Sequence, residues 1–282
     1  MSKVAVVGAG TMGNGIAHTF AQHGWETALI DVSQDQLARG LATIKKNLER
    51  QEKKGAVSRE QGAEILARIQ TSTSLESAKD AELVVEAATE NPKIKFDLFA
   101  ALCRLLPPSA ILASNTSSIS ITEIAKHTDR PAKVIGMHFM NPVPLMPLVE
   151  VIRGLETGDG VLAHVVEITK ALGKTPVVVN DAPGFVSNRV LMPMINEAIL
   201  CVQEGVATAE AVDQVMTLGM KHPLGPLALA DLIGLDVCLA ILDVMVEGFA
   251  DPKYRPARLL KEMVASGRLG RKSGVGFYVY RD

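Results

Sequence analysis

The run Gly8-Ala9-Gly10-Thr11-Met12-Gly13 constrains this chain more than any other feature, because of what flanks it. Lys3-Val4-Ala5-Val6-Val7 is continuous, β-branched and ended by glycine, the texture of a short buried strand. Ile16, Ala17, Phe20 and Ala21 then recur at helical spacing. Strand, glycine-rich turn and helix in that order make a dinucleotide-binding fingerprint. Gly8 permits the tight turn, Gly10 lets a pyrophosphate approach the backbone, and Gly13 lets helix pack on strand. Thr11 and Met12 open the helix, whose unpaired N–H groups form a positive end facing the pyrophosphate. A second apolar run, Thr27 to Ile30, ends in Asp31, eighteen residues past Gly13. A carboxylate there accepts from the adenosine ribose hydroxyls of NAD and repels the 2′-phosphate of NADP. NAD is therefore the expected cofactor and NADP the less favoured one. Ser33 is better placed than Asp31 to cap the next helix, which leaves Asp31 for the ligand.

With 282 residues, the chain has ample material for two domains. A net charge of −2 and a pI near 6.3 argue against nucleic acid as the main partner. No apolar stretch approaches the length of a membrane span, and the first strand starts at once, so neither a membrane nor a signal peptide is expected. Cys103, Cys201 and Cys238 are scattered and odd in number, like small buried residues of a reducing cytoplasm. The six histidines also lack ligand spacing, so no metal site is expected.

Strand and helix patterns alternate from residue 3 to about 180. A helix from Ser33 towards Glu52 and another near Ser58–Ile69 have no strand between them and read as a helical hairpin inserted into the alternation. Strand-like runs follow at Leu83–Ala87, Ala110–Ala113, Val134–Phe139, Leu148–Ile152 and Pro176–Val179, with helices starting near Asn91-Pro92, at Ser120 and at Gly160. This predicts a Rossmann-like, doubly wound, mostly parallel domain over residues 1–182. From Asp181-Ala182-Pro183-Gly184 onward the periodicity is helical: Val190–Val202, Ala209–Leu218, Leu227–Ala250 and Arg258–Ala265. Residues 183–282 therefore read as an all-α C-terminal domain with a short extended tail. Leu227–Ala250 is apolar on more than one face and would be buried in its own domain or against a second subunit.

Gly136 to Glu150 is the second informative stretch. Its prolines forbid a continuous helix and interrupt strand pairing. His138 and Glu150 each lie six residues from Pro144, so a segment folding back on itself brings imidazole and carboxylate together. Such a pair suits a general base for an alcohol proton, and equally suits a core histidine with a structural salt bridge. Ser114-Asn115-Thr116-Ser117-Ser118 follows a strand at the sheet's expected carboxyl edge, where open α/β sheets bind ligands, yet it also serves as a capping turn before Ser120. Glu90 and Asn91 close the preceding strand at that edge. Asn188, one turn into the second domain's first helix, has an amide that can donate and accept, or simply cap or be solvated.

Taken together these blocks resemble the 3-hydroxyacyl-CoA dehydrogenase family, and within it the short, single-function bacterial 3-hydroxybutyryl-CoA dehydrogenases. The resemblance spans residues 3–280. It is carried by Gly8–Gly13 with Asn14-Gly15, Val84-Val85-Glu86-Ala87 with Glu90-Asn91, Ala113–Ser118, Gly136–Phe139 through Glu150, Pro183–Arg189, Pro223–Pro226 and Gly270–Gly274. Met140 stands where the family commonly has a second Phe. The resemblance implies that His138 takes the proton of the 3-hydroxyl, that Glu150 orients it, and that Ser117 and Asn188 bond the reacting oxygen and thioester region. It implies Glu90, Lys95, Ser117, Asn141 and Lys272 around the cofactor, Lys54 at the hairpin tip near the coenzyme A moiety, an acyl-CoA substrate, and a homodimer through the helical domain. Two rivals are a β-hydroxyacid dehydrogenase acting on a free acid and a non-catalytic crystallin-like relative. The first relies on a lysine in the first interdomain helix, and Pro183 to Val202 contains none.

Overall fold

In the computed structural model, which describes residues 2–280, the chain divides into two compact units, one ending at Asp181 and the other beginning at Ala182. The first unit is built on eight strands: β1 (Lys3–Val7), β2 (Glu26–Ile30), β3 (Ile69–Ser72), β4 (Leu83–Glu86), β5 (Ile111–Ser114), β6 (Val134–Phe139), β7 (Leu148–Arg153) and β8 (Thr175–Asn180). They lie in one sheet in the order β3-β2-β1-β4-β5-β6-β7-β8. Every pairing is parallel except β6 with β7. The chain steps outward from β1 to β3, then crosses to β4 on the other side of β1. The β1/β4 junction is thus the topological switch point, where ligands bind outside the strands' carboxyl ends. The central strands are buried on both faces, which is why their sequences are near-continuous apolar runs.

The connecting helices are α1 (Thr11–Gln22), α2 (Gln34–Lys53), α3 (Arg59–Ala67), α4 (Pro92–Leu105), α5 (Ile121–Lys126) and α6 (Asp159–Ala171). Their starts follow from local chemistry. Ser33 Oγ accepts from Gln36 N, Asn91 Oδ1 from Ile94 N, and Ser120 Oγ from Glu123 N. Ser58 and Gln61 cap α3 reciprocally. The hairpin of α2 and α3 is present as expected, but it runs on into β3, a strand the apolar pattern does not announce. That strand pairs with β2 at the sheet's edge and buries Ile69 alone, so its four residues carry no apolar alternation.

In the second unit, α7 (Ser187–Gln203), α8 (Ala209–Gln214), α9 (Pro226–Ile233), α10 (Leu235–Phe249) and α11 (Arg258–Ala265) surround a core that includes Met192, Ile199, Leu227, Leu235, Leu242, Met245 and Leu260. Two expectations are corrected here. The helix foreseen over Leu227–Ala250 is two helices broken at Gly234, whose φ of 107° no helix can hold. The tail is a folded-back turn, bridging Gly270 with Val275 and Val275 with Val279, and not an extended segment. Asp231 organises it, accepting from Phe277 N, Tyr278 N and Tyr280 Oη. Asp213 of α8 does the same for α9, accepting from Leu227 N and Ala228 N in place of a cap that Gly225 cannot supply.

Candidate active site

The glycine fingerprint folds into a cradle at the switch point. Gly8 has φ of 105° and passes so close to Ala87 that a Cβ would collide with its carbonyl. Gly13 lies against the Gly8 carbonyl, which is the close helix–strand packing the third glycine was expected to permit. Gly10, the N-cap of α1, has open space where a Cβ would stand, and no side chain caps Thr11 and Met12 behind it. That space against the N–H groups at a helix start fits a pyrophosphate. Asp31 is fixed at the end of β2, its two oxygens accepting from Ala9 N at 2.8 Å and Ser33 N at 2.9 Å. The residues present therefore suit NAD.

At the carboxyl ends of β4 and β5 two carboxylates knit the loops together. Glu86, fully buried, accepts from Lys95 Nζ at 2.5 Å, Ser114 Oγ at 2.6 Å and Ala88 N at 2.9 Å. Ser114 Oγ in turn accepts from Thr116 N. Glu90, exposed in the β4–α4 loop, accepts from Thr116 Oγ1 at 2.6 Å, Ser117 N at 2.8 Å and Ser117 Oγ at 3.2 Å. Ser117 is thereby held above the sheet edge. Lys95, implied by resemblance to lie around the cofactor, is turned inward onto Glu86. A buried ammonium needs such a partner, and Lys95, unlike exposed Lys93, stands on the face of α4 that buries Phe99 and Leu102.

The antiparallel register of β6 and β7 sets His138 directly opposite Glu150. Directly opposite residues share a face, and His138 Nδ1 lies 2.8 Å from Glu150 Oε2, both residues being buried. A carboxylate only accepts, so Nδ1 carries the proton and Nε2 is the basic nitrogen of the neutral ring. The strand end is secured from the other side as well. Beyond the last β5–β6 rung, Phe139 N donates to Asn115 Oδ1 at 2.9 Å, a side chain continuing the ladder. Asn141 is exposed just past β6, and Lys54 is exposed at the C-cap of α2, the hairpin tip. In the second unit Asn188 is buried in the first turn of α7, and Lys272 pairs with Asp236 at 2.6 Å.

Residues 3–182 match the NAD-binding domain of 3-hydroxyacyl-CoA dehydrogenases, and residues 184–280 match their C-terminal domain. The chain belongs to the 3-hydroxyacyl-CoA dehydrogenase family. It is 54% identical over 282 residues to a probable 3-hydroxybutyryl-CoA dehydrogenase of Bacillus subtilis, covering all of this chain and 98% of that one. It is 52% identical to the 3-hydroxybutyryl-CoA dehydrogenase of Bradyrhizobium diazoefficiens, covering 100% and 96%. The crystal structure of (S)-3-hydroxybutyryl-CoA dehydrogenase from Ralstonia eutropha superposes with a TM-score of 0.96 at 50% identity, covering both chains fully. As a member of this family the chain is an NAD-binding oxidoreductase acting on a CH–OH group. No helix among the described residues is long and apolar enough to cross a membrane.

Proposed function

We propose that this enzyme interconverts (S)-3-hydroxyacyl-CoA and 3-oxoacyl-CoA, with 3-hydroxybutyryl-CoA and acetoacetyl-CoA as the short-chain pair. The observation that carries the reading is the buried His138–Glu150 pair near the ligand-binding edge of the sheet. A bound NAD supplies the hydride acceptor. In oxidation His138 Nε2 takes the 3-hydroxyl proton while hydride leaves C3, and the Glu150 carboxylate steadies the imidazolium that results. In reduction the same proton returns to the carbonyl oxygen. Ser117 and Asn188 are assigned by family pattern to the reacting oxygen and the thioester region, and Glu90, Asn141, Lys95 and Lys272 to the cofactor's surroundings. Given its burial on Glu86, Lys95 serves by holding that edge together. Residues 1–182 then form the cofactor domain and 183–282 the substrate and dimerisation domain.

The homodimer through the helical unit is part of the same proposal. Leu235, Cys238, Ile241, Leu242 and Met245 of α10 are buried in its own unit's core, and Val237 is its exposed large apolar side chain. The most exposed apolar side chains of residues 206–220 are Val206, Val215, Leu218 and Met220, beside an apolar groove of about 540 Å³ walled by Met194, Ala198, Cys201, Val212 and Met216. A second copy of this chain is the proposed occupant.

The test is loss of absorbance at 340 nm on mixing acetoacetyl-CoA, NADH and enzyme. Turnover is expected, and its absence would sink the reading in favour of a free-acid dehydrogenase or a non-catalytic relative. With NADPH, kcat/KM should be lower, because the 2′-phosphate meets the Asp31 carboxylate; equal or higher values would overturn that role for Asp31.

A further inference from the structure

Between His138 and Glu150 the chain runs Met140-Asn141-Pro142-Val143-Pro144-Leu145-Met146-Pro147. Three prolines remove three N–H donors from this connection. The loop's own turn bonds are Leu145 N and Met146 N to the Pro142 carbonyl. What fixes its shape comes from outside. Val143 is buried against α1, so close that a Cβ on Gly15 would strike its Cβ. On the other flank stands Lys174, the residue before β8, itself buried. Its Nζ donates to the Val143 carbonyl at 2.6 Å and to the Met146 carbonyl at 2.7 Å. The Pro147 carbonyl is taken by Thr175 N at 2.7 Å.

An ammonium buried with no carboxylate partner among the described residues is costly, and burial holds Lys174 below the usual lysine range. The two carbonyls offset that cost, and the lysine in return defines where they stand. The loop is thus fastened between the fingerprint helix and the start of β8. Its length and shape set how β6 meets β7, and a one-residue slip there would turn Glu150 to the opposite face of the sheet.

We propose that Lys174 is a positioning residue for the His138–Glu150 pair, acting through the Val143 and Met146 carbonyls of the connecting loop. The functional consequence rests on the role proposed for His138, while the geometric consequence does not.

The experiment compares Lys174→Met, which removes every side-chain N–H donor at similar length, with Lys174→Arg, which keeps charge and donors. One readout needs no turnover: the downfield Nδ1–H proton resonance of the histidine–carboxylate hydrogen bond, assigned by its loss in His138→Gln. Lys174→Met should broaden or lose that resonance and Lys174→Arg should restore it. In the acetoacetyl-CoA assay, kcat of Lys174→Met should fall by about 10- to 100-fold, the order expected when a reacting group is misplaced, with KM for acetoacetyl-CoA nearly unchanged. A wild-type resonance and a wild-type kcat in Lys174→Met overturn the proposal, even if its Tm is lower, because the lysine then serves stability alone. If Lys174→Met does not fold, Lys174→Leu, which also lacks a side-chain donor, takes its place: loss of the resonance and of kcat supports the proposal, and wild-type values of both overturn it. A wild-type enzyme that shows the resonance but no turnover would remove the proposed function and leave the resonance comparison to decide the role of Lys174.

Discussion

His138 and Glu150 should behave as one unit. General acid–base help is worth about 10²–10⁴ in rate, so His138→Gln should lose roughly that in kcat while NADH still binds to the untouched fingerprint. Glu150→Gln should also fall steeply, since it removes the charge that stabilises the imidazolium. The double variant should be little worse than the poorer single one. Fully multiplicative losses would show that the two residues work independently. A second histidine makes a different prediction. His18 is fully buried in α1 with neither ring nitrogen hydrogen-bonded among the described residues, and burial lowers its pKa to about 4. The unfolded chain protonates this residue near 6.5, the folded one only near 4. Between those values the unfolded state holds the extra proton, so stability present above pH 6.5 is lost as pH falls towards 4. The loss amounts to about 3 kcal/mol at the bottom of the window. Urea denaturation at about pH 7 and about pH 4.5 should show a shallower difference for His18→Leu than for wild type, and equal differences would refute the assignment.

At the scale of elements, the inserted hairpin presents Lys54 to solvent at the end of α2, with Lys53 beside it. A cation there suits the phosphates of coenzyme A. Lys54→Ala should raise KM for acetoacetyl-CoA roughly two- to fivefold, since an exposed ion pair is worth up to about 1 kcal/mol, and the defect should shrink at high salt. A fall in kcat at unchanged KM would contradict a binding role. The strands show how far local pattern reaches. β6 was legible to the residue, because a strand buried on both faces reads as a continuous apolar run between breakers. β3 was not, because an edge strand is held by its hydrogen bonds to β2 and has little to bury. The break at Gly234 was also hidden: glycine is tolerated inside apolar helical runs, and only the positive φ at this position, beside Asp236 and Lys272, reveals a boundary.

At the scale of the whole molecule, light scattering should give about 60 kDa, twice the 30.1 kDa chain. Placing aspartates at Val215 and Leu218, the latter 81% exposed, should yield a monomer by putting charge into an apolar contact. An unaltered mass for Val215→Asp/Leu218→Asp would move the interface elsewhere on the helical unit.

The sequence by itself determined the alternating unit, the helical unit and the glycine cradle, and its prolines allowed a fold-back whose pairing of His138 with Glu150 the β6–β7 register completes. Each of these is written in short-range pattern: apolar periodicity, glycines at fixed offsets, prolines that forbid helix. Only the tertiary structure decided what the buried charged residues meet. Nothing in the local pattern names the partners of the buried Glu86, Lys95 and Lys174, which lie nine to thirty-one positions away. A buried charge survives by the hydrogen bonds that surround it, and those are made by groups that meet in space. The same holds for Asn115 and Phe139, for Asp213 beneath α9 and for Asp231 beneath the tail. Periodicity records which face of an element is apolar; which polar atoms complete one another is settled when the elements pack.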